Sequence, residues 1–156
     1  MSLAVFNNKL YGGTAPSGNL YEWNGVDAWV RVAPLLVSET YIYSLAVFNN
    51  KLYGGTGLYG NLYEWNGVDA WVQVAPKLGS ETRILSLAVF NSKLYGGTYP
   101  NGNLYEWNGA NAWVQVAPRL ALETQILSLA LFNNKLYGGT AQNGNLYIFV
   151  SCTDIF

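Results

Sequence analysis

The sequence predicts an all-β fold, namely a β-propeller built of four-stranded antiparallel blades with four blades in the chain. Three observations support this prediction. The hexapeptide Lys-Leu-Tyr-Gly-Gly-Thr occurs at 9–14, 51–56, 93–98 and 135–140, always 42 residues apart. A fixed period of roughly twenty to fifty residues is typical of repeat architectures. Each repeat contains short segments rich in β-branched and aromatic residues, and turn residues separate them. An open β-solenoid stack is the alternative.

The first two segments of a repeat predict a β-hairpin. In the second repeat, residues 44–48 and 51–53 flank Asn49-Asn50. Asparagine tolerates the positive φ that tight hairpin turns require. The pair Gly54-Gly55 then ends the second segment, and the missing Cβ atoms leave room for another backbone or a large ring.

The rest of the repeat predicts two further strands. The third segment, 62–65, follows a Gly-Asn turn signal, and the fourth, 70–75, follows an Asn-Gly turn and ends at Pro76. Proline cannot donate a hydrogen bond to a neighbouring strand, so it marks the end of the segment. We therefore expect each repeat to be a four-stranded meander, with 44–48 innermost and the strand of Trp71 outermost.

The repeat positions set the expected blade boundaries at 2–43, 44–85, 86–127 and 128–156 within a single propeller unit. The last repeat stops 13 residues short. It has Ile148 in place of the glutamate found at 22, 64 and 106, and Ile155 in place of the fourth-strand tryptophan. We expect its fourth strand to be missing or vestigial.

The pattern "SLAVFNNKLYGG…NLYEWNG…AWVQVAP" resembles a kelch repeat, which has paired glycines ending its second strand and a tryptophan opening its fourth. It is also similar to the Asp-box blades of sialidase-type propellers. The five positions of the Asp-box motif fall here on Glu64, Asn66, Val68, Ala70 and Trp71, so only the tryptophan matches. The resemblance implies a propeller blade and does not imply an activity.

Composition excludes several classes of function. Lys and Arg total 8 against 9 for Asp and Glu, so no basic surface is expected for nucleic acid or for a membrane. No apolar run reaches the roughly 18 residues of a membrane helix, and no signal peptide is visible, so we expect a soluble chain of undetermined location. The single cysteine, Cys152, is expected to be a structural thiol.

Catalysis is not expected. The chain has no histidine and no cysteine pair, which leaves no typical metal site, and no cofactor is expected. Paired carboxylates for glycosidase chemistry are a weaker alternative, because repeated positions receive equivalent environments. Instead, the third-strand glutamates are expected to pair across strands with lysines. These pairs are Lys9 with Glu22, Lys51 with Glu64 and Lys93 with Glu106.

Two sets of tryptophans recur. Those that open the fourth strand are expected to be blade-to-blade core, and those that end the third strand precede an Asn-Gly turn and are an alternative set for stacking on sugar rings. The first set is Trp29, Trp71 and Trp113, and the second is Trp23, Trp65 and Trp107.

The repeats differ mainly between strands two and three and in the connectors between repeats, such as 35–37 and 119–121. These loops are expected at one end of the propeller, where tyrosine and arginine suit a binding surface. The candidate ligand-binding residues there are Tyr41, Tyr59, Arg83, Tyr99 and Gln125, with the connector glutamates Glu39, Glu81 and Glu123. Capping of neighbouring backbone groups is the competing interpretation of those glutamates.

These observations favour a non-enzymatic, multivalent binding module, either lectin-like or protein-binding. The alternative is a structural or assembly protein, or a recently amplified repeat without a specific ligand. Four blades either close alone or form half of a larger ring. An unclosed ring would expose the apolar faces of its end blades, so we expect a homodimer with eight blades.

Overall fold

The computed structural model describes residues 2–36, 39–119 and 122–149, and these form an all-β propeller repeat. The strands within them are β1 (Ser2–Phe6), β2 (Lys9–Gly13), β3 (Leu20–Trp23), β4 (Trp29–Ala33), β5 (Tyr41–Phe48), β6 (Lys51–Gly57), β7 (Leu62–Trp65), β8 (Trp71–Ala75), β9 (Arg83–Phe90), β10 (Lys93–Tyr99), β11 (Leu104–Trp107), β12 (Trp113–Ala117), β13 (Ile126–Phe132), β14 (Lys135–Thr140) and β15 (Leu146–Phe149).

The strands form antiparallel meanders, as the sequence predicts. Blade 1 is β1 to β4, blade 2 is β5 to β8, blade 3 is β9 to β12, and blade 4 has the three described strands β13 to β15. The first strands of successive blades contact one another, β1 with β5, β5 with β9 and β9 with β13, so they lie innermost. The strand order leaves β4, β8 and β12 at the outer edges. The predicted fold class is confirmed.

The β-hairpin at the start of each blade has the predicted turn. Asn49 and Asn50 adopt φ values of 46° and 58°, and the equivalent turn residues also have positive φ. This conformation matches the twist of the two flanking strands, which is why a two-residue turn closes the hairpin. The other members of the set are Asn7, Asn8, Asn91, Ser92, Asn133 and Asn134.

The first strands of blades 2 to 4 begin earlier than the sequence indicates. β5 starts at Tyr41 rather than at Ser44, because Tyr41 pairs with Gly57 and Ile42 pairs with Thr56. An irregularity in the register between Ile42 and Ser44 interrupts the alternation of side chains, which hides the extension in the sequence. The end of each connector is therefore already part of the next blade.

Side chains of two successive blades pack against the paired glycines. An alanine Cβ at Gly54 would lie 3.1 Å from the ring of Trp71, a residue of the same blade. A Cβ at Gly55 would lie 2.7 Å from Cγ2 of Ile84, which belongs to the next blade. Gly13 and Gly97 meet the equivalent isoleucines, Ile42 and Ile126. The first glycine of a pair thus packs against a tryptophan ring, and the second packs against an isoleucine of the next blade.

The predicted cross-strand ion pairs are present. The Nζ atoms of Lys9, Lys51 and Lys93 lie 2.9, 2.9 and 2.8 Å from Oε1 of Glu22, Glu64 and Glu106. Each glutamate also accepts a hydrogen bond from the tyrosine of the paired strand, such as Tyr53 to Glu64.

Burial raises the pKa of the Tyr11 hydroxyl to about 12, and the bond to Glu22 adds to this shift. These carboxylates are occupied by structural contacts.

The faces of the two end blades are exposed. Leu3 on β1 is 63% exposed, whereas its equivalent Leu45 packs against blade 1 and is 8% exposed. Phe132 on β13 is 64% exposed, whereas its equivalent Phe90 is 3% exposed. The described residues therefore do not close the ring by themselves.

Some predictions concern positions outside the described residues. These are the missing fourth strand of the last blade, the place of Ile155, the thiol of Cys152, and the connector positions Val37 and Ala121. Where the structure describes the chain, it contains no helix of the length and apolarity needed to cross a membrane.

The contact between Gly55 and Ile84 predicts a difference between two equivalent substitutions. Gly55→Ala forces a Cβ against Ile84, and overpacking of this kind costs typically about 1–3 kcal/mol. Gly139→Ala is the matched control, because a Cβ there meets Ser128 as Gly55 meets Ser44, but no isoleucine of a following blade. Chemical denaturation is expected to show the larger loss for Gly55→Ala. Equal losses would mean that the packing of Ile84 is not tight.

Candidate functional site

The variable loops and the connectors lie at the same end of the propeller. In blade 1, a Cβ at Gly18 in the β2–β3 loop would lie 3.0 Å from the carbonyl oxygen of Glu39 in the connector. In blade 2, the backbone N–H of Leu58 donates to the carbonyl of Thr82 in the next connector at 3.2 Å. Sequence divergence among the repeats is thus concentrated on one surface, which we call the variable face.

Four side chains of the variable face form a continuous ladder between blades 2 and 3. The rings of Tyr41 and Tyr43 stack with centroids 5.1 Å apart and planes 9° from parallel. The guanidinium carbon of Arg83 lies 5.7 Å from the centroid of Tyr43 and 4.5 Å from that of Tyr99. Such cation–π contacts stabilise the arrangement by roughly 0.5–1 kcal/mol each at exposed sites. We call this set the Tyr–Arg ladder.

Backbone pairing explains why these residues meet. Gly57 at the end of β6 pairs with Tyr41 on one side and with Arg83 on the other, which joins the sheets of blades 2 and 3. Tyr99 pairs with Arg83 in turn. A Cβ at Gly57 would overlap the ring of Tyr43, so glycine at this position makes room for the ladder.

The ladder is accessible and its charge is uncompensated. All four side chains are half-buried, which leaves part of each ring and of the guanidinium in solvent. Among the described residues, no carboxylate forms an ion pair with Arg83. The five donors of the guanidinium are therefore available to a ligand.

The other predicted site residues are placed differently. Tyr59 is 47% exposed on the loop that bonds to the connector of Arg83, so it adjoins the ladder on the variable face. Gln125 takes the place of Arg83 at the junction of blades 3 and 4, where Leu85 stands in place of Tyr43 and Ala141 in place of Tyr99. Within the described chain, the aromatic ladder therefore occurs at one junction, between blades 2 and 3.

The connector glutamates are buried, with exposures of 1% for Glu39 and 0% for Glu81 and Glu123. Oε1 of Glu39 accepts a hydrogen bond from Nδ2 of Asn61 at 2.9 Å. The corresponding distance from Asn103 to Glu81 is 2.7 Å, and that from Asn145 to Glu123 is 2.9 Å.

These carboxylates also bond to the backbone of the loops that join the second and third strands of a blade, β6–β7 in blade 2 and β10–β11 in blade 3. In blades 2 and 3 the second oxygen accepts from a backbone N–H, that of Tyr59 or Asn101. The glutamates fasten each connector to its own blade and are not accessible to a ligand, which corrects their inclusion among the binding residues.

Burial raises the pKa of the Glu39 carboxyl, and the hydrogen bonds that it accepts from Thr56, Tyr59 and Asn61 counteract part of that shift. A buried carboxylate of this kind is costly unless every lone pair finds a donor. The asparagine that lies 22 residues after each glutamate supplies one such donor.

The third-strand tryptophans are more deeply buried than the fourth-strand ones, although Trp71 and Trp113 also pack against the core clusters. Trp65 and Trp107 are 5% and 6% exposed, and the Trp107 ring lies 5.1 Å from that of Tyr53 in the previous blade. Trp71 is half-buried over Gly54 of its own blade, and Trp29 is 43% exposed. The third-strand tryptophan therefore forms the blade-to-blade core.

Trp23 is only half-buried, and no described blade precedes it. The alternative of sugar stacking on Trp23, Trp65 and Trp107 is not supported, because two of the three rings are inaccessible.

The described residues contain no cluster of three or more histidine, cysteine, aspartate or glutamate side chains that could hold a metal ion. The polar groups of the Tyr–Arg ladder are instead three aromatic hydroxyls and the guanidinium of Arg83. This arrangement suits the recognition of a ring or of a polar surface.

Comparison with solved structures places the chain among propellers. It superimposes on the crystal structure of the computationally designed Ika4 protein with a TM-score of 0.65 at 16% identity, covering 95% of this chain and 88% of that one. It superimposes on the WD40 beta propeller domain of Doa1 with a TM-score of 0.65 at 11% identity, covering 95% of this chain and 50% of that one. The chain thus spans half the length of that WD40 chain.

No family model and no curated protein matches the sequence. The structural likenesses establish a propeller repeat, and the more specific kelch and Asp-box resemblances stay predictions.

Proposed function

We propose that the chain is a non-enzymatic binding module whose ligand is a glycan held on the variable face by the Tyr–Arg ladder. The observation that carries this proposal is the stack of Tyr41 and Tyr43 continued through Arg83 to Tyr99. An aromatic ring presents a flat apolar face, and the C–H face of a sugar ring packs on such a surface. Arg83 supplies donors for sugar hydroxyls or for the carboxylate of an acidic sugar.

The ladder is also organised before a ligand arrives. Arg83 is held between two tyrosine rings, so its guanidinium orientation is already restricted. A preorganised side chain loses less conformational entropy on binding. Tyrosine and arginine are the residues that contribute most at binding surfaces in general, which also suits a protein ligand.

We expect the double substitution Tyr59→Ala and Tyr99→Ala to abolish weak, salt-tolerant binding on a glycan array or in a pull-down. Loss of the Tyr99 ring removes one side of the Arg83 sandwich, so we expect Tyr99→Ala alone to reduce affinity at least about tenfold, which is 1.4 kcal/mol. The control is Val68→Ala, an exposed residue on the turn between β7 and β8. Full binding by Tyr99→Ala would contradict the assignment of the ladder.

We also propose that two copies associate head to tail into an eight-bladed ring. The exposed face of blade 4 carries Phe132 and Tyr137, with ring centroids 6.3 Å apart. The equivalents in blade 2, Phe48 and Tyr53, pack inside the chain on Trp107 of blade 3. The exposed face of blade 1 carries Trp23 at the equivalent position.

The two exposed faces therefore reproduce the two halves of an interface that the chain already forms between its own blades. Leu3 and Val5 lie on the blade 1 side, as Leu45 and Val47 do at the first internal junction. In a dimer with a two-fold axis, blade 4 of each copy contacts blade 1 of the other copy. This gives a closed assembly and removes both apolar surfaces from water. Such a ring presents two ladders, which raises avidity for a repeated ligand.

Native mass spectrometry tests this assembly. The chain has a mass of 17.2 kDa, and we expect a species of about twice that mass. Phe132→Asp places a charge in the proposed interface and should give the monomer, while Val26→Asp, at an exposed turn position, should leave the dimer intact. A monomeric wild-type chain would contradict the proposal.

A further inference from the structure

Arg83 lies between two tyrosine rings within the Tyr–Arg ladder. Gly57 pairs with Arg83 across the joined sheets, and Arg83 pairs in turn with Tyr99. The ring of Tyr43 extends over Gly57, in the space that a Cβ would fill. One ring therefore stands on each side of the guanidinium. A ligand that reaches Arg83 approaches from solvent, between the rings, and does not stack on the guanidinium.

The charge of Arg83 has no partner in the part of the chain that the structure describes. Its guanidinium forms no ion pair and no hydrogen bond there. The carboxylate closest to it in the sequence, Glu81, is fully buried and bonded elsewhere. It accepts hydrogen bonds from the side-chain amide of Asn103 at 2.7 Å and from the backbone N–H of Asn101 at 3.2 Å. Glu81 therefore does not compete with a ligand for Arg83.

The accessible charged side chains of the variable face are positive where the structure describes it. The connectors carry Lys77 and Arg119, both exposed, in addition to Arg83. The three connector glutamates are buried. The exposed aspartates of the described chain, Asp27 and Asp69, lie at the opposite end, on the turns between the third and fourth strands. Charges of one sign attract a ligand of the other sign, so the variable face favours an anion.

We propose that Arg83 recognises the carboxylate of an acidic sugar, so that the ligand of the ladder is a carboxylated glycan. This inference rests on the proposed function and narrows the class of glycan. A guanidinium offers two parallel N–H donors, which match the two oxygens of a planar carboxylate. A neutral sugar hydroxyl presents a single oxygen and no charge.

The ladder tyrosines complete the site. The hydroxyls of Tyr41, Tyr43 and Tyr99 form no hydrogen bond with other described residues, so they are available to the hydroxyls of the sugar. The guanidinium is half-buried between the rings. Salt screens a partly buried ion pair less than it screens exposed charges, which agrees with the salt tolerance expected for binding.

The repeats themselves supply matched substitutions. Gln125 occupies the position equivalent to Arg83, so Arg83→Gln removes the charge with a residue that the repeat already accepts. Arg83→Lys keeps the charge but loses the parallel pair of donors. Arg31→Gln is the control, because it removes the same charge from the outer strand β4, where the equivalent residues are Gln73 and Gln115.

The test is a glycan array probed with the fluorescently labelled chain. The array carries neutral, sulfated and carboxylated glycans, and each carboxylated glycan stands beside its own methyl ester. Esterification removes the charge and leaves the sugar unchanged. We expect the wild-type chain to bind carboxylated glycans at least about tenfold more tightly than their esters, because hydrogen bonds between charged groups are the stronger ones. Binding to sulfated glycans should be weaker than binding to carboxylated ones.

The variants should separate charge from geometry. Arg83→Gln should bind each carboxylated glycan only as well as its ester. Arg83→Lys should lose about tenfold in affinity for carboxylated glycans, and its affinity for the esters should not fall. Arg31→Gln should bind as the wild-type chain does.

Failure of this inference and failure of the glycan proposal give different results. Binding to esters as tight as binding to the acids, lost in Tyr99→Ala, would overturn the role of the carboxylate and leave the glycan site in place. Tighter binding to sulfated glycans would also overturn it. A preference for the acid that persists in Arg83→Gln would show that another residue recognises the charge. No binding to any glycan on the array would contradict both proposals.

Discussion

The packing of one isoleucine against the paired glycines of the preceding blade is the contact on which the rest of the structure depends. Ile42, Ile84 and Ile126 are almost completely buried at the three junctions. Each fills a space that exists only because the facing residue has no Cβ. This close approach sets how near two blades lie, and burial of each isoleucine side chain stabilises the fold by roughly 1.5–3 kcal/mol.

The features around each junction follow from the position of that isoleucine. Three residues before it, a buried glutamate accepts a hydrogen bond from the asparagine between the second and third strands of the same blade, which fixes the connector on that blade. One residue before it lies the variable position held by Tyr41, Arg83 or Gln125. The rigid connector thus carries a side chain to the variable face at each junction. At one junction these side chains assemble into a ladder because Gly57 and Tyr99 complete it.

The sequence predicts the elements of this fold better than it predicts how blades face one another. The turns at Asn49-Asn50 and the pairing of Lys51 with Glu64 depend on neighbours in one hairpin, so local pattern identifies them. The deeper burial of Trp65 than of Trp71 depends on which face of a blade meets the next one, and the spacing of residues carries no such information. The buried state of Glu81 was likewise hidden, since its partner Asn103 is 22 residues away. Variation among otherwise near-identical repeats identifies Tyr41, Arg83 and Tyr99 as candidates, and the structure brings them together.

The most direct test of this account is the free energy of unfolding of Ile84→Ala compared with that of Leu85→Ala. Both residues lie on β9, but Ile84 is fully buried between blades 2 and 3, whereas Leu85 is half-buried. We expect Ile84→Ala to lower the free energy of unfolding by about 2–5 kcal/mol, because it empties a site that the glycine backbone cannot collapse to fill. The loss for Leu85→Ala should be clearly smaller. If the two substitutions cost the same, the isoleucine and glycine contact does not hold the blades together.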